Sequence, residues 1–482
     1  MSKSDLGGAT PSAPLPRVLR ALARQGLLVR KEGPVFSVCH PQHNVEPARV
    51  LLPEGFALDS KALLQLCAFA GVKHPLGGAV CAACATPDFH AGSLVPVGAV
   101  IATTLDMVIP QAIGTDIQCG MRLHTVELDV ETFLSRKAAW LELVYGDLFL
   151  GTRDLPMQVT AVRAMFEAGA LGWLEATRRA PLGLMQRIEL DQLESELERS
   201  FELGSAEGDA RHAPRDLLPD DRDVIRDSCM GTVGGGNHFI EVQFVEQILD
   251  SRTAFGWGLR KGQICLMVHS GSRRVGGVVG GEWMERAREL WPLGVAHPKS
   301  GIFALHGADA TTYITALNTA ANYANVNRIL LAEMMRDRLR QVFGRELEVP
   351  LVYDVPHNTV TREGERYVHR KGATPAFFGQ PVLIPGSMGQ ASYVLRGEGN
   401  SDYLCSASHG AGRARTRGDM RKRAARGESI GLEGVECIGR SERVVEEAPA
   451  AYKAIEPVVA VQSEVGIATP VARLQPLLTF KA

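Results

Sequence analysis

The residues best suited to chemistry are histidines in glycine-, serine- or asparagine-rich turns that follow or open strand-like runs. Such turns expose side chains at the edge of a sheet, and an unpaired buried polar group costs about 1–3 kcal/mol. One such histidine is more often a hydrogen-bonded structural residue than a ligand. Five in one chain predict a shared site, and they are His90 in PDFHAG, His238 in GTVGGGNHFIEV, His269 in ICLMVHSGSRRVG, His357 in PLVYDVPHNTV and His409 in SASHGAGR.

A carboxylate and a thiol accompany these histidines in the segment DIQCGMR. Asp116 and Cys119 lie three residues apart after the apolar AIG. Cysteine, histidine and aspartate are ligands of borderline divalent metals, and one thiolate can bridge two ions. Three imidazoles, one carboxylate and one thiolate could therefore hold two ions. The softness of these ligands alone favours zinc.

His409 has the surroundings of a nucleophile that meets phosphate. It is followed by Gly-Ala-Gly, which cannot shield an imidazole, and then by arginines and a lysine between residues 413 and 426. A neutral imidazole can attack phosphorus without a separate base. The basic run could clamp a nucleic-acid backbone, or it could be a solvated helix face.

Two further segments suit phosphate binding. GTVGGGN presents backbone N–H groups without side chains in the way, which allows a triphosphate to approach closely. LIPGSMGQASYVL adds the hydroxyl groups of Ser387 and Ser392.

The elements that must position these residues form an α+β pattern. Residues 1–75 predict a small α/β lead-in, with a helix from Pro16, a strand at VFSVCH and a helix at KALLQLCAFAG that Gly71 closes. Strand-like runs such as LVPVGAVIATT then alternate with glycine turns to about residue 130. Residues 131–230 predict a helical insertion, in which IELDQLESELERSF has the spacing of one amphipathic helix. A second helical block reaches Phe343.

The amino-acid composition restricts the classes to which the protein can belong. The chain has 482 residues, is 45% hydrophobic and has a formal net charge of −2, so any nucleic-acid binding requires a local basic patch. Nine scattered cysteines do not form a disulfide framework. The sequence shows neither a signal peptide nor a membrane-spanning run, and it predicts a cytoplasmic location without membrane partners.

Nine motifs, in order, closely resemble the RtcB family of GTP-dependent RNA ligases. They are DIQCGMR, GTVGGGNHFIEV, HSGSR, DVPHN, RKGAT, IPGSMGQASYV, SHGAGR, AYKAIEPVV and VARLQPLLTFK. The resemblance covers about residues 85–482. It implies an RtcB-like fold, with mixed and antiparallel sheets and flanking helices around a central dinuclear metal site, formed by a catalytic domain of residues 76–482. It also implies that RNA 3′-phosphate or 2′,3′-cyclic phosphate ends are joined to 5′-hydroxyl ends through a histidine–GMP intermediate, with GTP and two Mn(II) ions.

The resemblance also implies roles for individual residues. His409 is the residue that takes GMP, and Asp88 and Arg273 act at the RNA terminus. Cys119 bridges two manganese ions, of which His269 and His357 complete one site and Asp116 and His238 the other. The remaining positions bind the nucleotide, and they are Asn237, Glu241, Ser387, Ser392, Ala411, Gly412, Tyr452 and Lys481.

The sequence departs from the family pattern at Arg274, where glycine is usual, and at Gln390, where threonine is usual. These departures bear on the choice of substrate more than on the chemistry. Two other functions are compatible with the same first steps or the same ligands. One is an enzyme that stops after capping a nucleic-acid 3′-phosphate with guanylate, and the other is a metal-dependent phosphoesterase. The resemblance leaves open whether an activating partner such as archease is needed.

Overall fold

In a computed structural model the chain is described over residues 15–439 and 441–481. Residues 1–14 of the predicted lead-in lie outside this range. The strands in the described residues are β1 (Leu28–Glu32), β2 (Val35–His40), β3 (Asn44–Leu51), β4 (Val80–His90), β5 (Val97–Thr104), β6 (Met107–Val108), β7 (Gly120–Asp129), β8 (Met157–Gln158), β9 (Val224–Ile225), β10 (Phe239–Ile248), β11 (Gln263–Ser270), β12 (Leu305–His306), β13 (Leu351–Pro356), β14 (Asn358–Glu363), β15 (Arg366–Lys371), β16 (Ala373–Pro375), β17 (Pro381–Ile384), β18 (Ser392–Gly397), β19 (Ser406–Ser408), β20 (Cys437–Gly439) and β21 (Ala468–Lys481).

The α-helices in the same ranges flank these strands. They are α1 (Leu15–Arg24), α2 (Ser60–Ala70), α3 (Pro110–Ile113), α4 (Val130–Tyr145), α5 (Val159–Arg179), α6 (Leu190–Glu196), α7 (Ser251–Gly256), α8 (Arg273–Glu289), α9 (Ala308–Phe343), α10 (Arg417–Ala425), α11 (Ser441–Glu446) and α12 (Ile455–Glu464).

Two large mixed sheets carry the fold. The first has the order β1-β2-β3-β4-β5-β15-β14, and the second has the order β13-β7-β11-β10-β21-β18-β17 with β20 paired to β21. Neighbouring strands are antiparallel except for β3 with β4 and β20 with β21. Three two-stranded sheets pair β6 with β12, β8 with β9 and β16 with β19. The predicted α+β class with mixed sheets is confirmed.

Helix α9 is the longest packing element, with 36 residues. Its middle is buried on all sides, because α4, α5 and α8 pack around it and strands β7 and β11 lie against it. The helical periodicity predicted to continue through Phe343 is confirmed. None of the helices in the described residues is long and apolar enough to cross a membrane.

One helix within the predicted helical insertion is shorter than its sequence suggests. The predicted helix over IELDQLESELERSF is wrong beyond Glu196, because α6 ends there and Ser200 is extended. Glu202 and Leu203 then have positive φ angles of 51° and 56°. Between residues 205 and 230 the chain has only short 3₁₀ turns and the two-residue strand β9.

Candidate active site

The register of the second sheet brings the ends of five strands to one edge. Gly120, the first residue of β7, pairs with Ser270 near the end of β11 and with Pro356 at the end of β13. Phe239, the first residue of β10, pairs with His269. The next residue of β10 pairs with Phe480 of β21. Side chains beside these positions must therefore meet, although they are far apart in sequence.

A buried thiol–imidazole cluster lies at this edge. The Sγ of Cys119 is 3.2 Å from Nε2 of His238 and 3.1 Å from Nε2 of His269. The ligand atoms of these three buried residues all lie within 4.8 Å of one another.

Two more predicted ligands extend the cluster in opposite directions. Nε2 of His238 is 3.2 Å from Oδ2 of Asp116. On the other side, Nε2 of His269 is 3.3 Å from Nε2 of His357. The five residues predicted to bind metal thus form one continuous series of donors, with Cys119 in the middle.

This donor set fits divalent metal. Two ligands of one tetrahedral ion lie roughly 3.5 Å apart when their metal bonds are about 2.0–2.3 Å long, and the observed separations are close to that value. The Nδ1 atoms of His238, His269 and His357 are buried and have no hydrogen-bond partner in the described part of the chain. The three imidazoles are thus buried with their Nε2 atoms facing the other donors of the cluster and their Nδ1 atoms unpartnered among the described residues.

The protonation states of His269, His357 and Asp116 favour cation binding, whereas burial and the neighbouring Asp116 raise the pKa of the Cys119 thiol well above its usual value. Burial, reinforced by neighbouring histidines, holds the pKa of His269 and of His357 well below the usual value, so both rings are neutral ligands. Burial by itself would raise the pKa of Asp116, but contact with His238 brings it below the usual value. A neutral imidazole and an ionised carboxylate are the forms that bind metal.

Hydrogen bonds from Arg328 and Asn358 hold the backbone around Cys119 in place. Arg328 of α9 is buried, and its Nη1 donates to the carbonyl oxygen of Gln118 at 2.7 Å and to that of Ser270 at 3.3 Å. Its Nε donates to Asp354. Asn358 adds a hydrogen bond to the carbonyl oxygen of Asp116 at 3.0 Å. Helix α9 thus holds the two strand ends that carry Cys119 and His269.

His409 lies beside the cluster and is oriented by Asp88. The ring centroids of His409 and His357 are 4.9 Å apart. Nδ1 of His409 is 2.6 Å from Oδ2 of Asp88, which is fully buried near the end of β4. Burial would raise the pKa of Asp88, but His409 brings it below the usual value, so the carboxylate is ionised. An ionised carboxylate only accepts hydrogen bonds, so Nδ1 carries the proton and Nε2 keeps its lone pair.

A cavity of about 600 Å³ opens at His409. His90 also lines the cavity, where burial lowers its pKa to about 4 and its Nδ1 donates to the carbonyl oxygen of Asp88. His90 therefore lies near the other four histidines but outside the series of metal donors. The predicted nucleotide-binding residues that line the cavity are Asn237, Glu241, Ser387, Ala411, Gly412, Tyr452 and Lys481.

The end of the cavity at β10 and β21 carries both a carboxylate and an ammonium group. Burial raises the pKa of Glu241 to about 7, and its carboxylate accepts hydrogen bonds from Thr479 and Gln243. Burial lowers the pKa of Lys481 to about 8, and its Nζ donates to the carbonyl oxygen of Gly236 at 2.9 Å. The Glu241 carboxylate can accept hydrogen bonds from a polar ring, and the Lys481 ammonium can donate a hydrogen bond to the same ring. Lys481 is the last residue of strand β21, and the pairing of this strand holds it in place.

Glu447 is a residue of the cavity that the sequence did not indicate. It is 2% exposed, and it accepts hydrogen bonds from Tyr452, from Arg413 at 2.7 Å and from Arg417 at 2.9 Å. Burial would raise its pKa, but Lys481 and Arg413 bring the pKa below the usual value. The available signal was its position five residues before Tyr452, beside the motif AYKAIEPVV.

Two predicted residues lie outside the cavity wall. The Oγ of Ser392 accepts hydrogen bonds from Gln243 and from the backbone N–H of Gly386, so Ser392 supports the turn that carries Ser387. Arg273 begins α8 with φ of 52°, and its Nε donates to Thr232. It packs against Gly234, where an added Cβ would lie 2.0 Å from the Arg273 guanidinium. Arg273 therefore lies against the glycine loop beside His238.

Most side chains of the basic run after His409 form ion pairs within the chain. Most of its cationic side chains form ion pairs with Glu428, Glu446 or Glu447, and these are Arg413, Arg417, Arg421, Arg423 and Arg426. The segment therefore closes one side of the cavity through internal ion pairs.

Comparison of the sequence with known proteins shows the family that the chain resembles. A family profile described as tRNA-splicing ligase RtcB matches residues 68–482. The chain is 34% identical over 442 residues to an RNA-splicing ligase RtcB of Mycobacterium bovis, covering 83% of this chain and 97% of the relative. It is 33% identical over 439 residues to a tRNA-splicing ligase RtcB of Thermococcus kodakarensis, covering 81% and 86%. A tRNA-splicing ligase RtcB of Nanoarchaeum equitans is 31% identical over 442 residues, covering 82% and 87%.

Proposed function

The chain belongs to the tRNA-splicing ligase RtcB family, and from this premise we propose that it is an RNA ligase that joins 3′-phosphate or 2′,3′-cyclic phosphate ends to 5′-hydroxyl ends. The observation that carries the proposal is His409, oriented by Asp88 between a metal-fitting cluster and a cavity of nucleotide size. The catalytic domain is proposed to span residues 76–482, after the lead-in.

His409 is the proposed nucleophile of the first step. Its Nε2 lone pair attacks the α-phosphorus of GTP, the bond to the β-phosphate breaks, and pyrophosphate leaves with the electron pair. Asp88 holds the proton on Nδ1 and stabilises the positive charge that develops on the ring. This hydrogen bond supports a role for Asp88 in orienting His409, in addition to the role at the RNA terminus that the resemblance implies.

Two divalent ions, proposed to be Mn(II), neutralise phosphate charge and align the leaving group when they are bound. Cys119 is placed to contribute to both sites. His269 and His357 are the proposed further ligands of one site, and Asp116 and His238 those of the other. Arg328 keeps the thiolate and the imidazoles in register through the backbone.

The guanine base is proposed to lie at the end of the cavity formed by Glu241 and Lys481. The Lys481 ammonium donates to the guanine carbonyl, and the Glu241 carboxylate accepts from the ring N–H and the amino group. The remaining contacts go to the phosphates, ribose and base edges, and the proposed residues are Asn237, Ser387, Ala411, Gly412 and Tyr452. Ser392 acts through the Gly386 turn.

The later steps use the same histidine as a leaving group. An oxygen of the RNA 3′-phosphate attacks the phosphorus bound to His409, the N–P bond breaks, and the RNA end carries GMP. The 5′-hydroxyl of the second strand then attacks the 3′-phosphate and expels GMP, which forms the new phosphodiester. Arg273, beside the glycine loop, is proposed to bind the RNA terminus.

The first test is covalent labelling. GTP labelled at the α-phosphate, with Mn(II), is expected to leave an acid-labile, alkali-stable label on the protein, and His409→Ala is expected to abolish it. A label that persists in His409→Ala would refute the assignment.

The second test separates ligation from its alternatives. Defined 3′-phosphate and 5′-hydroxyl strands are incubated with the protein and GTP, with and without archease, and the products are separated. A joined strand supports the proposal. A guanylate-capped strand alone would indicate a capping enzyme, and loss of the 3′-phosphate without GTP would indicate a phosphoesterase.

A further inference from the structure

A row of cationic side chains lies at the start of the described chain, outside the family match. Between residues 15 and 31 the sequence contains five arginines and lysines and neither aspartate nor glutamate, although the whole chain has a formal net charge of −2. We call these residues the α1–β1 basic face. They are Arg17, Arg20, Arg24, Arg30 and Lys31, and all five are exposed.

Packing fixes the helical part of this face. Leu22 is buried in the main core, and Val18 and Leu19 pack against that core. Positions 17, 20 and 24 are three and four residues apart and thus share the opposite side of α1. The arginines are therefore displayed together on an anchored helix.

The charges of this face are not neutralised within the part of the chain that the structure describes. Some exposed arginines elsewhere lie beside carboxylates, as in Arg179 with Glu175, Arg211 with Asp209 and Arg222 with Asp221. None of the five cations of the α1–β1 basic face forms an ion pair with a described residue; Lys31 only lies over the ring of Phe36. Arg30 and Lys31 are consecutive on β1, so their side chains point to opposite sides of the sheet. The unpaired charge that shares one surface is that of the three α1 arginines, and such charge attracts a polyanion.

The lead-in is joined to the wall of the catalytic cavity. Strands β1–β3 continue the sheet that contains β4, and β4 ends at Asp88 and His90. Phe56 of the lead-in lies 5.4 Å from the ammonium of Lys453, which donates to the carbonyl oxygen of Phe89. An RNA strand that binds the lead-in is therefore held on the same folded unit that carries His409, the proposed nucleophile.

We propose that the α1–β1 basic face binds the phosphate backbone of the RNA outside the catalytic cavity, an inference that rests on the proposed ligase function. RNA is favoured over a lipid surface because the apolar side of α1 is buried against the core and cannot insert into a bilayer. It is favoured over a second copy of the chain because Arg30 and Lys31 lie on the edge strand β1, and charged side chains oppose edge-to-edge pairing.

The test uses the full chain with Arg17→Gln, Arg20→Gln and Arg24→Gln combined. Binding of a single-stranded 3′-phosphate RNA is measured by fluorescence anisotropy between 50 and 200 mM salt. Loss of three phosphate contacts is expected to reduce the slope of log K against log salt by about 2, since each contact in single strands contributes about 0.7. Affinity at the lowest salt is expected to fall on the order of tenfold or more.

A matched control removes the same charge from paired arginines. The triple variant Arg179→Gln, Arg211→Gln and Arg222→Gln is expected to keep the wild-type salt slope. Equal slopes for the two triple variants and the wild type would overturn the proposal. The proposal would also be overturned if the α1–β1 triple variant kept its RNA binding but lost binding to anionic vesicles. It would likewise be overturned if that variant kept its RNA binding but changed its oligomeric state, as measured by light scattering.

The same samples distinguish this proposal from the ligase assignment. Labelling of His409 by GTP needs no RNA, so the α1–β1 variant is expected to be labelled like the wild type. If the wild type itself took no label, the ligase function would fail, while the salt slopes would still report on the basic face.

Discussion

At the scale of single residues, the pairing of Asp88 with His409 fixes which ring nitrogen keeps its lone pair, and this is Nε2. Replacement of Asp88 by asparagine keeps the size of the side chain but removes the charge that holds the proton on Nδ1. The wrong tautomer becomes accessible, and guanylylation is expected to slow on the order of 10²–10⁴-fold. Metal content is expected to stay unchanged, because Asp88 is not one of the cluster donors.

The chain offers a matched control for this substitution. Asp106 also accepts from a histidine, His306, at 3.1 Å, but neither residue lines the cavity. Asp106→Asn is expected to leave the labelling rate near that of the wild type. Rapid single-turnover labelling by Asp88→Asn would contradict the orienting role.

The pKa values of Glu241 and Lys481 predict a limited pH range in which GTP binds tightly. Because the pKa of Glu241 in the folded chain is raised to about 7, its carboxylate loses charge below that pH and can no longer accept both guanine hydrogens. GTP affinity is therefore expected to fall about tenfold for each pH unit below 7. It is also expected to fall above about pH 8, where Lys481 loses its proton.

Calorimetric titration of a non-hydrolysable GTP analogue between pH 5.5 and 9 measures this window. Glu241→Gln is expected to bind weakly and to lose the acid limb. A wild-type affinity that is flat across the range would show that guanine contacts other groups. The sign for stability is opposite to that for binding: since the folded pKa of Glu241 lies above the unfolded one, its contribution to the free energy of unfolding falls as pH rises toward 7.

At the scale of elements, α9 supports the cluster of donor side chains through Arg328. An Arg328→Lys variant has one ammonium in place of a guanidinium that reaches two carbonyl oxygens and Asp354. Metal affinity is expected to fall about 10–100-fold, as for other groups that orient ligands. Metal titration followed by calorimetry gives the affinity.

Arg336 is the control for this variant on the same helix. It is equally buried but pairs with Glu196 and Glu333. Arg336→Lys is expected to reduce the free energy of unfolding, since disrupting a buried ion pair costs up to about 3–5 kcal/mol, while metal affinity stays near the wild-type value. Equal losses of metal affinity in both variants would mean that Arg328 acts only through general stability.

The strand ends were predictable from sequence because each motif contains its own strand and turn. HSGSR and DVPHN follow apolar runs that became β11 and β13, and both histidines reached the same sheet edge. The orientation of His409 was not predictable, because its partner Asp88 lies 321 residues away. Glu447 was missed for the same reason, since its cationic partners come from another segment.

The error in the helix after residue 188 has a physical cause in tertiary pairing. Glu196 was expected on a solvated face, yet it is buried between Arg122 and Arg336. The ring of Phe201 stacks on Phe377 at 6.5 Å. Because Glu196 is buried, the chain leaves the helical path before Phe201, whose ring contacts Phe377. Helical periodicity in the sequence carries no information about the arginines that pair with Glu196 or about Phe377.

At the scale of the whole molecule, the donor cluster connects parts of the chain that belong to different sheets and loops. Cys119 precedes β7, His269 lies in β11, and His357 links β13 of the second sheet to β14 of the first. Metal that binds only the folded chain therefore stabilises both large sheets together. Chelation is expected to lower the stability of the entire fold as well as the activity.

The size of that effect follows from binding linkage. Ion at 1,000 times its Kd stabilises the folded state by about 4 kcal/mol, which for a chain of 482 residues corresponds to a rise in Tm of about 4 °C. Cys119→Ala is expected to remove most of the difference in Tm between Mn(II)-loaded and EDTA-treated protein. Cys265→Ala deletes a thiol that is also fully buried but packs in a separate apolar cluster, so it is expected to lower both Tm values and keep their difference. Scanning calorimetry measures the six values for the wild type and the two variants, and an undiminished difference in Cys119→Ala would show that the ions are held without the thiolate.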